Sequence, residues 1–108
     1  MDETFYQLVA ELIDKKMQEK GKKRLDIAQD INVSESFAKK LHSPSANKHY
    51  NMKHLFLLSK YWNVSVDSFM PTKENLKGLY RYMDKSDEYI DDLLEKIEIE
   101  LREEKYND

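Results

Sequence analysis

Residues 26–41, DIAQDINVSESFAKKL, carry two short helical patterns with only a few polar residues between them. Ile27, Ala28 and Ile31 recur at the spacing of a buried helix edge, and Ala38 and Leu41 begin a second edge further on. Asn32 stands at the joint. A corner this tight needs one residue with positive φ, a conformation that glycine adopts most easily and asparagine tolerates. Ser34 follows as an N-cap, its hydroxyl able to accept from the amides of the next turn. The stretch therefore predicts a helix, an elbow at Asn32 and a second helix over about 35–42. Glu35, Ser36, Lys39 and Lys40 are left on the outer face of that second helix.

Outward from this pair the chain keeps reading as helix, with two glycines, two prolines and little valine. Phe5, Leu8, Val9, Leu12, Ile13 and Met17 mark one face of a first helix. Thr4 with Gln7 fits a capping box at its start, and Gly21 a stop at its end. SPSANKHYN, residues 43–51, is a loop, with Pro44 opposing helical continuation. A fourth helix over 52–62 buries Leu55, Leu58 and Tyr61 or Trp62. NVSVDSFMP then repeats the earlier device, with Asn63 as turn residue, Ser65 as cap and a short fifth helix ending before Pro71.

From Lys73 the pattern changes. Leu76, Tyr80, Met83, Ile90, Leu94, Ile97 and Leu101 alternate in steps of four and three, a heptad-like seam with Asp87 in its one polar slot. DKSDE at 84–88 interrupts it, because Ser86 can cap a fresh helix, so one kinked helix or two are expected. The fold class expected is all-α: a five-helix domain over 1–70 and an acidic helical extension over 71–108. Ile90, Leu94, Ile97 and Leu101 are the dimerisation candidates of that extension; folding back on the first or fifth helix is the alternative.

Charge is strongly segregated. The net charge is −3, yet Lys15 to Lys60 hold eleven Lys/Arg against four acids, and Asp84 to Asp108 hold eleven acids against four bases. Such polarity suits a nucleic-acid binder with an acidic tail. The absence of cysteine removes disulfides and thiolate metal sites, and His42, His49 and His54 fit no usual ligand spacing, so neither metal nor cofactor is expected. No signal peptide is visible, and no apolar run approaches the roughly 18–20 residues of a membrane span, which predicts a cytoplasmic protein without membrane partners. No glycine-rich phosphate loop or nucleophile motif is present, and Glu95 and Glu98 read as solvated charges, so no enzyme is expected.

RLDIAQDINVSESFAKKL together with NMKHLFLLSKYWNVSVDSFM resembles the helix-turn-helix domain of Cro/C1-type (XRE-like) regulators. Ala28, Asn32, Val33-Ser34, the 35–42 helix, Asn63-Val64-Ser65 and Phe69 carry the likeness, over about residues 5–70. It implies a lambda-repressor-like fold and a sequence-specific regulator of transcription, a repressor by the family's habit, that binds double-stranded DNA as a homodimer. Carried over, Glu35, Ser36, Lys39 and Lys40 become base readers in the major groove. Arg24, Ser34, Asn47, Lys48, His49 and Tyr50 become backbone contacts. His42, Ser43 and Pro44 depart from the glycine-containing turn usual after the recognition helix, and the loop is a few residues long. The rival expectation is a protein-binding adaptor or antirepressor that keeps the fold and offers the acidic tail to a regulatory protein partner.

Overall fold

The computed structural model describes residues 4–104. Its first element, α1 (Phe5–Glu19), starts at the expected box: Gln7 N donates to Thr4 Oγ1 at 3.1 Å and Thr4 N to Gln7 Oε1 at 3.2 Å. It stops at Gly21, whose φ of 66° lets Lys22 N reach back to Met17 O at 2.8 Å and Gly21 N to Gln18 O at 3.1 Å. Paired return bonds of this kind satisfy carbonyls that the helix end leaves open.

Next come α2 (Arg24–Ile31) and α3 (Glu35–Leu41), hinged where the sequence places the elbow. Asn32 sits at φ 60°, ψ 53°, and Val33 N closes the end of α2 on Ala28 O at 2.9 Å. Ser34 Oγ then accepts from Phe37 N at 3.0 Å. The device recurs after α4 (Met52–Trp62), where Asn63 takes φ 55°, ψ 50° and Val64 N returns to Ser59 O at 3.0 Å. The echo is incomplete. Ser65 makes no side-chain cap, and the expected fifth helix is a single 3-10 turn, Val66–Phe69. That turn still delivers Phe69, fully buried, edge-on to Trp62 with ring centroids 6.4 Å apart. Trp62 is the inward residue of α4, and its Nε1 donates to Asp30 Oδ2 at 2.8 Å, tying α4 to α2. Tyr61 points outward and is exposed.

The extension contains α5 (Lys73–Lys77), a 3-10 turn at Tyr80–Tyr82, and α6 (Asp87–Glu103) capped by Ser86, whose Oγ accepts from Tyr89 N at 3.1 Å. The described residues are thus all-α, without a strand, and no helix among them is long and apolar enough to cross a membrane. The continuous seam does not survive. Because α5 ends at Lys77, the chain leaves helical register, so Tyr80 and Met83 are exposed while Leu79 and Tyr82 are buried in their place.

Two apolar clusters result, and α1 serves both. Val9 and Ile13 join Ile27, Ala28, Ile31, Ala38, Leu41, Leu55, Leu58, Trp62 and Phe69. Leu8 and Leu12, a quarter-turn away on the same helix, join Leu76, Leu79, Tyr82, Ile90 and Ile97. Of the two uses expected for the tail's apolar stripe, the fold-back on the first helix is the one present: Ile90 and Ile97 are buried in their own chain, with Leu94 and Leu101 packed partly buried beside them. An intramolecular partner needs no second copy, and Leu8 and Leu12 supply one. Lys73–Asp91 at 2.9 Å and the Lys77–Asp87 pair bridge α5 to α6 on the surface. Exposed pairs of this type contribute little stability, so they fix orientation while the leucines and isoleucines supply the driving force.

Two outcomes are expected on urea denaturation. Ile90→Ala costs about 2–5 kcal/mol with a midpoint independent of protein concentration; a concentration-dependent midpoint would return the stripe to a subunit interface. Asn32→Val costs about 1–2 kcal/mol while Asn32→Gly is close to neutral, because only the former is strained at positive φ.

Candidate nucleic-acid interface

The outer face of α3 carries Glu35, Ser36, Lys39 and Lys40, all exposed. Neither lysine is engaged by a carboxylate among the described residues. Behind them Ala38 is fully buried, and Ala28 of α2 is 3% exposed, so two small side chains let the helices approach closely. The charges also follow the helix dipole, with Glu35 in the first turn and both lysines in the last. This face is rigidly backed and electropositive toward its C-terminal end.

The residues expected at the DNA backbone divide. Asn47 and Lys48 stand exposed on the 43–51 loop. His49 is exposed too, but its ring lies flat on Tyr6, with centroids 3.9 Å apart and 12° between planes. Ser34 uses its oxygen as the α3 cap. Arg24 and Tyr50 are drawn into an internal network centred on Asp14 of α1. Arg24 Nη1 lies 3.0 Å from Asp14 Oδ1, and His42 Nδ1 lies 3.3 Å from Oδ2. On its other side His42 Nε2 meets the Tyr50 hydroxyl at 2.5 Å. Arg24 and Tyr50, expected near the DNA backbone, thus each already answer a partly buried group, whose abandonment would carry a desolvation cost.

Ionisation follows from this packing. Burial raises the Asp14 carboxyl's pKa, but the adjoining His42 ring and Arg24 guanidinium outweigh it and hold the carboxyl below its ordinary range. Burial pushes the Tyr50 hydroxyl well above its ordinary value, opposed by the Arg24 charge and assisted by that of Asp14, so the phenol keeps its proton. His54, buried at the start of α4, is lowered by burial and then by Lys53. Its Nδ1 accepts from Asn51 N at 3.1 Å, a role only the neutral ring fills.

Asp14, His42 and His54 thus organise the region without having been marked by the sequence as functional. The signals were present but weak: an acid beside the apolar face of α1, and a histidine just past the end of α3. Rings of Phe37, His54, Tyr50 and His42 follow one another edge to face, at 6.3, 6.0 and 5.3 Å, and link α3, α4 and the intervening loop. Among the described residues no group of three or more His, Cys, Asp or Glu is placed to hold a metal ion.

No protein-family model, curated protein or solved structure matches this chain.

Asp14→Asn is expected to lower stability by about 1–2 kcal/mol at pH 7, by leaving Arg24 without its counter-charge. Because the folded carboxyl titrates below its ordinary value of 3.8, its contribution is complete above that value and is lost as pH falls through the lower folded one. Urea titrations should show the gap between parent and variant closing as pH drops below 3.8; a gap that stays constant would remove Asp14 from the charge network.

Proposed function

We propose that this protein is a sequence-specific double-stranded DNA-binding regulator of transcription of the Cro/C1 type. In this reading α3 enters the major groove. The observation that carries the reading is the helix–elbow–helix unit, which holds two exposed lysines without carboxylate partners, Lys39 and Lys40, on a braced convex face. A duplex admits such a helix only if its outer face stands clear of the body, and a preceding helix fixes its angle. Support also comes from the acidic extension. Ile90 and Ile97 anchor α6 in the cluster around Leu8 and Leu12, leaving both lysines uncovered.

Within this reading Lys40 donates to guanine O6 or N7, Glu35 accepts from cytosine N4, and Ser36 and Lys39 complete the reading surface. Asn47 and Lys48 supply backbone contacts that set register. Arg24 acts chiefly by bracing the start of α2 against Asp14 and adds a diffuse positive field at the phosphates. A symmetric operator would require two copies. With the tail's apolar stripe used internally, the pairing surface falls elsewhere on the chain.

A protein-binding adaptor is the second reading, favoured by the exposed carboxylates Glu88, Asp92, Glu95 and Glu103 along α6. The two readings separate on salt. A regulator loses affinity steeply with ionic strength as bound phosphates release counterions, whereas an adaptor retains no oligonucleotide even in dilute buffer.

Selection of bound sequences from a random DNA pool tests binding, motif and symmetry together; recovery of no enriched sequence overturns the proposal. On the enriched site Lys40→Ala should cost about 1–3 kcal/mol and relax choice at one base pair. An equal loss on all sequences would make Lys40 a phosphate contact.

A further inference from the structure

On the side of the 43–49 loop that meets α1 and the end of α6 lies an open groove of about 870 Å³. That volume is in the range of small-molecule sites. Its apolar lining comes from three separate elements: Ala10 of α1, Leu41 of α3, and Ile97 and Leu101 of α6. One end is closed by the Tyr6–His49 stack, a flat aromatic wall held by the Tyr6 hydroxyl, which donates to Glu104 Oε1 at 3.3 Å.

The charges of the lining are unevenly answered. Glu11 is matched by a fork from Arg81, with Nε 2.9 Å from Oε2 and Nη2 2.6 Å from Oε1. Asp14 is matched by Arg24 and His42. Glu100 has no cationic partner among the described residues, and Glu104 has only the neutral phenol of Tyr6. Glu100 on α6 and Glu104 just past its end flank Leu101 on one wall, with Glu104 against the Tyr6 end of the aromatic stack. Lys48 stands on the opposite, loop wall. An anion would face these two carboxylates, and a wholly apolar molecule would leave both without a cationic partner.

We propose that this groove binds a small organic cation, an amine or guanidine attached to an apolar or aromatic body. The body rests on Ala10, Leu41 and Leu101 and against the Tyr6–His49 stack; the cationic head pairs with Glu100 and Glu104. The stack adds an aromatic face next to the charge, an arrangement that attracts organic cations in partly desolvated sites. This inference does not depend on DNA binding and holds equally for an adaptor.

The test uses the full chain, isotope-labelled for two-dimensional NMR, titrated separately with phenethylamine, 2-phenylethanol and phenylacetate. These three share one body and differ in charge. The expected result is saturable movement of amide signals from Ala10, Leu41, His49, Glu100 and Leu101 with the amine, in the millimolar range of a fragment-sized ligand. The alcohol should bind several-fold more weakly and the acid more weakly still. The double variant Glu100→Gln/Glu104→Gln keeps the Tyr6 acceptor and changes two exposed side chains, so its spectrum should remain folded while amine affinity falls about tenfold, two lost charge pairs' worth. Equal binding of all three probes, an undiminished affinity in the folded double variant, or amide movement confined to other surfaces would each overturn the assignment.

Discussion

Everything in this molecule depends on one helix having two buried faces. Leu8 and Leu12 on one side of α1, with Val9 and Ile13 on the other, make it the wall between two apolar clusters. A surface helix of a small domain usually buries a single stripe. Here the second stripe would face water were α5 and α6 absent, so the extension completes the interior instead of trailing from it. The same arrangement brings the C-terminal end of α6 beside the loop that follows α3.

This arrangement separates the charges in space as well as in sequence. Internal salt links take up part of the basic surface: Arg24 goes to Asp14, Arg81 to Glu11, and Lys73 and Lys77 to the start of α6. What remains uncommitted on α3 is the Lys39–Lys40 pair. A net charge of −3 therefore says little about the field over that helix. The acids of α6 that stay exposed face away from the core or line the groove beside Tyr6.

The Asp14–His42–Tyr50 network fixes the end of α3 from behind. It joins α1, the end of α3 and the start of α4 through groups that are costly to leave unpaired. His42, just past the end of α3, anchors the chain between an acid and a phenol. The loop from Ser43 to Tyr50 is thereby held at both ends, with Asn47 and Lys48 exposed between them.

Local chemistry placed the individual elements and their stops. Thr4, Asn32, Ser34, Asn63 and Ser86 act through their own backbone and the next few residues, and each behaves as its chemistry requires. The inward positions of α1 to α4 were legible for the same reason, since helical periodicity is a short-range property. What the apolar stripe of α6 packs against came from tertiary packing, because a stripe specifies burial without specifying a partner. It also moved the buried positions from Tyr80 and Met83 to Leu79 and Tyr82, since the chain leaves α-helical geometry between Lys77 and Asp87 and period no longer predicts face. Likewise it engaged the half-buried Arg24 and Tyr50 in contacts with Asp14 and His42, residues that lie far from each other in the chain. Pairings over such separations are set by how whole helices dock, and no local pattern encodes them.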